Sequence, residues 1–248
     1  MTKRVEPATA VRGDVQVPGD KSISHRAVLL GAIAEGTTEI SGLSTSADVV
    51  SSLRCVEMLG AKAEHNRDRL VLEGCAGEFQ PPPSALDAGN SGTTVRLLAG
   101  ILAGHPFSSS LDGDASLRRR PMRRVISPLQ QMGASFQARE GQYLPLTVTG
   151  RRPLRAISYS PPVASAQVKS SVLLAGLFAE GVTQVREIRA TRDHTERMLP
   201  AFGAQVERHG LEVSIKGPSV LRGTSVEIPG DPSSAAFLWA AAAILPGS

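Results

Sequence analysis

Three stretches of the chain are apolar at nearly every position, which is too many sides for a helix lying on a surface. Residues 26–36 (Arg-Ala-Val-Leu-Leu-Gly-Ala-Ile-Ala-Glu-Gly) return as 94–104 (Thr-Val-Arg-Leu-Leu-Ala-Gly-Ile-Leu-Ala-Gly) and again as 171–181 (Ser-Val-Leu-Leu-Ala-Gly-Leu-Phe-Ala-Glu-Gly). Each predicts a helix buried on all sides and closed by its glycine, Gly36, Gly104 or Gly181. After each glycine the pattern changes to alternation, at 37–40, 108–111 and 183–186, which predicts a half-buried strand. An amphipathic second helix follows, ending at Gly60-Ala61, Gly133-Ala134 and Gly203-Ala204. Two short strands complete the unit, as where Lys62-Ala63-Glu64 turns at 66–68 into Leu70-Val71-Leu72.

The unit therefore reads βαβαββ, roughly 70 residues long and present three times. The fold class is α/β, of the α+β type: three buried helices packed together inside, with sheets and second helices outside. The repeats occupy residues 18–228. Residues 1–17 fit no unit and read as a strand segment of a second domain. Residues 229–248 open a fourth copy, because Pro229-Gly230-Asp231-Pro232-Ser233 echoes Pro18-Gly19-Asp20-Lys21-Ser22. That copy reads as the start of the second domain, with most of that domain outside the chain.

Composition narrows the class. The 248 residues are 41% hydrophobic and 20% charged, which reads as a soluble globular chain, and only 4% aromatic, so the core must be aliphatic. A formal charge of +4 suits small anionic ligands; with so few aromatic rings for bases to stack on, nucleic acid is disfavoured. Cys55 and Cys75 have no metal or redox spacing, and no histidine pair has metal-ligand spacing. The N-terminus lacks an apolar signal core, and the apolar run at 235–245 is too short for a membrane span. A cytoplasmic protein is the expectation.

Chemistry concentrates where the three buried helices begin. Asp20-Lys21-Ser22, Asn90-Ser91-Gly92-Thr93-Thr94 and Ser165-Ala166-Gln167-Val168-Lys169-Ser170 are small, polar and rich in hydroxyls. Helix starts present free N–H groups suited to oxyanions, and Lys21 and Arg26 add positive charge where a helix tolerates it best with an anion bound. Because the units repeat, the three starts should face one end of the domain and form an anion-binding mouth. The run Arg118-Arg119-Arg120-Pro121-Met122-Arg123-Arg124 precedes the second helix of the second unit, so one of its guanidinium forks can reach the same mouth. Thr191-Arg192-Asp193-His194 holds the matching place in the third unit. Asp20, Asp48, Asp193 and Asp231 sit at helix starts, where capping explains them.

These motifs, taken with Pro18-Gly19-Asp20-Lys21-Ser22-Ile23-Ser24-His25-Arg26, resemble in order and spacing those of the 5-enolpyruvylshikimate-3-phosphate synthase family. The resemblance runs from about residue 10 to the end, and five motifs together are far more specific than any one. It implies an inside-out barrel domain and transfer of the enolpyruvyl group from phosphoenolpyruvate to the 5-hydroxyl of shikimate 3-phosphate, without metal or organic cofactor. By similarity, catalytic Lys21 touches both substrates. Ser22, Arg26, Ser165, Ala166, Gln167 and Arg192 hold shikimate 3-phosphate. Asn90, Gly92, Arg120 and Gln167 meet phosphoenolpyruvate, where glyphosate binds as an inhibitor.

Two departures qualify the match. Many family members carry serine where this chain has Ala166. The family also builds its site between two domains, the second supplying the acid–base carboxylates, and this chain supplies essentially one. An alternative is an isolated shikimate-3-phosphate-binding module without turnover. The related UDP-N-acetylglucosamine enolpyruvyl transferases usually carry a reactive cysteine in the arginine loop, and 118–124 has none.

Overall fold

The computed structural model describes residues 8–66 and 69–245. The first unit comprises helix α1 (Lys21–Ile33), strand β1 (Thr37–Ser41), helix α2 (Ala47–Met58) and strands β2 (Lys62–Asn66) and β3 (Arg69–Glu73). The second comprises β4 (Leu86–Asp87), α3 (Gly92–Ala103), β5 (Ser108–Asp112), α4 (Arg123–Gln131), β6 (Ser135–Arg139) and β7 (Tyr143–Thr149). The third comprises β8 (Leu154–Arg155), β9 (Ser158–Tyr159), α5 (Ala166–Gly176), β10 (Ala179–Arg186), α6 (His194–Met198), β11 (Val206–His209) and β12 (Glu212–Gly217). Strand β13 (Ser225–Glu227) and helix α7 (Pro232–Ile244) follow. The turn expected at 66–68 involves Arg67 and Asp68, which lie outside the described residues.

Each unit makes one mixed sheet on the same plan. In the second, β4 runs parallel to β5, and β5 pairs antiparallel with β7, which pairs with β6. The third repeats this with β8 and β9 beside β10, then β12 and β11. A parallel pair needs a crossover, and the buried helix of each of these two units provides it. The first unit breaks the sequence order. Its parallel strand is β13, in register Glu39↔Ser225 to Ser41↔Glu227, so the ring of three sheets closes with a strand supplied after the third unit.

No strand forms at 8–17; the remainder of the strand segment expected at 1–17 lies outside the described residues. Gly19, just after this segment, pairs in a single bridge with Gly230.

The interior is aliphatic, as the scarcity of aromatics requires. Ala27, Val28, Leu29 and Leu30 of α1, Leu97, Leu98 and Ile101 of α3, and Val172, Leu173 and Leu174 of α5 are at most 1% exposed. Two local expectations fail for physical reasons. The buried helices do not all end on their glycines: α1 stops at Ile33 and α5 at Gly176, while Gly181 lies within β10 at φ +107°. The second helix of the third unit is short because Pro200 has no N–H to donate, and the chain tightens into a 3₁₀ turn over Leu199–Phe202. Helix α7 is apolar around its circumference, yet Phe237, Trp239 and Ile244 are 80%, 62% and 78% exposed.

Candidate functional site

Helices α1, α3 and α5 begin on caps from the polar motifs. Asp20 accepts a bond from the Ile23 amide at 2.8 Å, Ser91 from Thr94 at 3.1 Å and Ser165 from Val168 at 3.4 Å. The three starts sit at one end of the domain, because side chains in their first two turns bond directly across. Gln167 of α5 donates to the Thr93 hydroxyl of α3 at 3.0 Å and accepts from Arg96 at 3.0 Å. Arg26 of α1 donates from Nη2 to the Ser170 hydroxyl of α5 at 2.9 Å. His25 of α1, Ser52 of α2 and Thr94 of α3 form a buried hydrogen-bonded chain at 2.8 and 2.7 Å.

The mouth has two lobes. One is a cleft of about 590 Å³ lined by Lys21, Ser22, Ser44, Thr45, Arg192 and the start of α7. Lys21 and Arg192 project into it exposed. Lys21 Nζ is held by Asp48 Oδ2 at 2.8 Å, so Asp48 is the lysine's counter-ion and makes no capping bond of its own. Asp193 likewise pairs with Arg208, at 3.2 Å, and makes no capping bond, whereas Asp20 and Asp231 cap as expected. Arg26 is buried beneath Ser22, with Nε on the Thr195 hydroxyl at 2.6 Å and Nη1 on the Ser22 carbonyl at 2.8 Å. Burial lowers its pKa to about 10, which leaves it charged at neutral pH. One N–H on each terminal nitrogen stays unassigned, so the fork retains donors for a ligand lying on Ser22.

The second lobe centres on Gly92. Arg120 donates to the Asn90 side-chain oxygen at 2.5 Å, and Asn90 donates to Asp114 at 2.6 Å. That couples two of the expected residues into one rigid pair. Arg118, by contrast, turns outward onto Asp112 at 2.5 Å, so the arginine run divides its work. Arg96 was not anticipated, although its place one turn after Gly92 on the same helix face was a signal for it. A side-chain carbon at Gly92 would lie 2.5 Å from Arg96 Nη1 and 3.5 Å from Arg120 Nη1. Burial, then the neighbouring guanidinium groups of Arg120 and Arg124, lower the Arg96 pKa.

His25 is fully buried, and burial lowers its pKa from 6.5 to about 4. The unfolded chain takes up this proton first, so neutral His25 contributes its full stability above about pH 6.5 and loses it as pH falls toward about 4. The contribution is roughly 3 kcal/mol. Urea unfolding across that range should show stability falling with acid, and His25→Asn, which keeps a polar side chain toward Ser52, should flatten the slope. An unchanged slope would remove His25 from the account. His105 and His194, also lowered by burial, keep the remaining slope in the same direction.

Among the described residues no group of three or more His, Cys, Asp or Glu side chains could hold a metal ion, and no helix is long and apolar enough to cross a membrane.

Three like units closed around buried helices, the first completed by β13, with an oxyanion-ready mouth at the helix starts, define the inside-out domain of an enolpyruvyl-transferase fold. The profile of EPSP synthase (3-phosphoshikimate 1-carboxyvinyltransferase) matches residues 5–248, and the chain belongs to that family. It is 53% identical over 247 residues to the 3-phosphoshikimate 1-carboxyvinyltransferase of Brevibacillus brevis, covering 99% of this chain and 58% of the relative. The enzyme of the same name from Bacillus anthracis is 52% identical over 249 residues, with the same coverage. The EPSP synthase structure from Acinetobacter baumannii superposes with a TM-score of 0.87 at 47% identity, covering 92% of this chain and 52% of that one. The chain thus spans somewhat more than half the length of these relatives.

Proposed function

We propose that this chain supplies the shikimate-3-phosphate-binding half of an enzyme that moves the enolpyruvyl group of phosphoenolpyruvate onto the 5-hydroxyl of shikimate 3-phosphate and releases phosphate. The observation that carries the reading is the convergence of Lys21, Ser22 and Arg192 on one cleft, with Arg26 beneath Ser22. Both substrates are anions, and bringing them together requires positive charge fixed before they arrive. Ser22, Arg26, Ser165, the Ala166 backbone, Gln167 and Arg192 hold shikimate 3-phosphate. Asn90, Gly92, Arg120 and Gln167 hold phosphoenolpyruvate, and Arg96 joins them through Gln167. Lys21 lies between the two sets, its ammonium anchored on Asp48.

The reaction adds the 5-hydroxyl oxygen to the enol carbon while a proton goes to the methylene carbon. It then expels phosphate as that carbon returns a proton. An acid and a base must serve both steps. Among the described residues the carboxylates at this cleft are engaged: Asp20 and Asp231 cap helices and Asp48 is paired with Lys21. In this reading the acid–base groups belong to a second domain that closes over the cleft, in cis or in trans.

Calorimetry with shikimate 3-phosphate tests the site, and a phosphate-release assay tests turnover. Binding without turnover by this chain alone is the expected pair of results. Absence of binding would sink the assignment of Ser22, Arg26 and Gln167; turnover by the chain alone would sink the missing-carboxylate argument. In the two-domain enzyme, Gly92→Ala should weaken glyphosate inhibition about tenfold or more, since a methyl misplaced in a binding pocket costs roughly 1–3 kcal/mol. An unchanged inhibition constant would exclude a phosphoenolpyruvate pocket over Gly92.

A further inference from the structure

Beneath the cleft lies a charge cluster that none of the assigned roles uses. Lys169, two residues after Gln167 in α5, has a side chain only 1% exposed, as complete a burial as the leucines around it. Its ammonium contacts Glu187 Oε2 at 2.7 Å and Glu196 Oε1 at 2.6 Å, and those carboxylates are 5% and 1% exposed. Only the Glu187 contact is aligned as a hydrogen bond; the oxygens of Glu196 have the ion contact and no aligned donor. The other Glu187 oxygen accepts the Thr191 hydroxyl.

The two acids bracket one loop. Glu187 directly follows β10, Glu196 lies in the first turn of α6, and Arg192 stands between them, one residue after Thr191. A buried ammonium bound to both ends of a short loop ties that loop to the helix carrying the ammonium. The charges balance only when Arg26 is counted. Two carboxylates against Lys169 leave one negative charge in excess, and Glu196 is the largest electrostatic influence raising the Arg26 pKa. Thr195 and Ser170 bridge the halves, each accepting from Arg26, with the Thr195 hydroxyl bonded to Ser170 at 2.7 Å.

We propose that Lys169 is a positioning residue: through Glu187, Glu196 and Thr191 it pins the Arg192 loop to the start of α5, so that Arg192 and Ser165, Ala166 and Gln167 meet the phosphorylated substrate as one rigid body. The substrate part of this inference rests on the function proposed above; the pinning does not. A loop fixed in advance spares the ordering cost that binding would otherwise carry. Surface ion pairs give little such constraint, whereas a buried pair that loses one partner is left with an uncompensated charge.

The test uses variants that leave each remaining buried carboxylate with a partner. Thr191→Val removes the hydroxyl from a half-buried position, Thr191→Ser restores it, and Lys169→Met combined with Glu196→Gln removes one charge of each sign while Glu187 keeps the Thr191 hydroxyl. Amide hydrogen exchange is followed in the ligand-free chain, and shikimate 3-phosphate affinity is measured by calorimetry where each variant is fully folded. Exchange at 188–193 should rise about tenfold in Thr191→Val and in the double variant, while β10 and β12 keep their wild-type rates. Affinity should fall about tenfold in the same two and recover in Thr191→Ser. Unchanged loop exchange, or exchange raised equally throughout the third unit, overturns the pinning. Wild-type loop affinity for the substrate retained in both variants overturns the positioning role. A wild-type chain that binds no shikimate 3-phosphate overturns the function proposed above, and the exchange rates then decide the pinning by themselves.

Discussion

Gly150→Ala is expected to destabilise the domain by roughly 4 kcal/mol, the upper range for a single overpacking change. A methyl at Gly150 would lie 2.1 Å from the His105 carbonyl oxygen and 2.2 Å from that of Leu102. Both are backbone atoms at the end of α3, so no side chain can swing aside. The same construction occurs in each unit. A carbon added to Gly74 would meet the carbonyl oxygens of Ala34 and Gly31 at 2.2 and 2.4 Å; at Gly217 it would meet those of Gly176 and Ala179 at 2.2 and 2.5 Å. In each case the glycine stands at the end of the last strand of its unit or directly after it, against the C-terminal end of the buried helix. The requirement is space and not dihedral freedom, as none of the three has a positive φ. Urea unfolding of Gly150→Ala measures the loss. A change below about 1 kcal/mol would mean that α3 can slide away from its sheet, contrary to the close packing of the interior.

That glycine is legible in the sequence, at Leu-Val-Leu-Glu-Gly (70–74), Leu-Thr-Val-Thr-Gly (146–150) and Val-Ser-Ile-Lys-Gly (213–217), but nothing local distinguishes its need for space from that of the glycines after the helices. The elements themselves follow from periodicity, because buried helices and half-buried strands leave different patterns. Strand β13 does not: three residues whose partner lies in the first unit carry no local sign of which sheet they complete. The site divides along the same line. Lys21, Ser22, Arg192, Asn90, Arg120 and Gln167 lie in motifs, and the structure brings them to the mouth. The role of Asp48 as the counter-ion of Lys21 depends on the packing of α2 against α1, which sequence spacing does not encode. Lys169 looks like another cation of the mouth in its hydroxyl-rich motif, but a position four residues into a buried helix faces inward, and there two glutamates neutralise it.

Arg26→Met should cost about 3–5 kcal/mol of stability, the range for removing one partner of a buried charge cluster, and should abolish shikimate 3-phosphate binding. The side chain is 4% exposed and its three donor nitrogens each bond to the protein. Methionine fills the space but leaves the Ser22 carbonyl without this donor, and leaves Lys169 alone against Glu187 and Glu196. Arg26→Lys should recover only part of the loss, since an ammonium keeps the charge but not the planar fork that reaches Thr195, Ser170 and Ser22 together. The two variants separate the contributions. If charge balance dominates, lysine restores most of the unfolding free energy; if the fork dominates, stability stays low and binding stays lost. Denaturant unfolding and calorimetry on the same preparations read both quantities. An Arg26→Met chain as stable as the wild type would show that Glu187 and Glu196 do not need the second cation, and would take with it the view that binding site and buried cluster form one electrostatic unit.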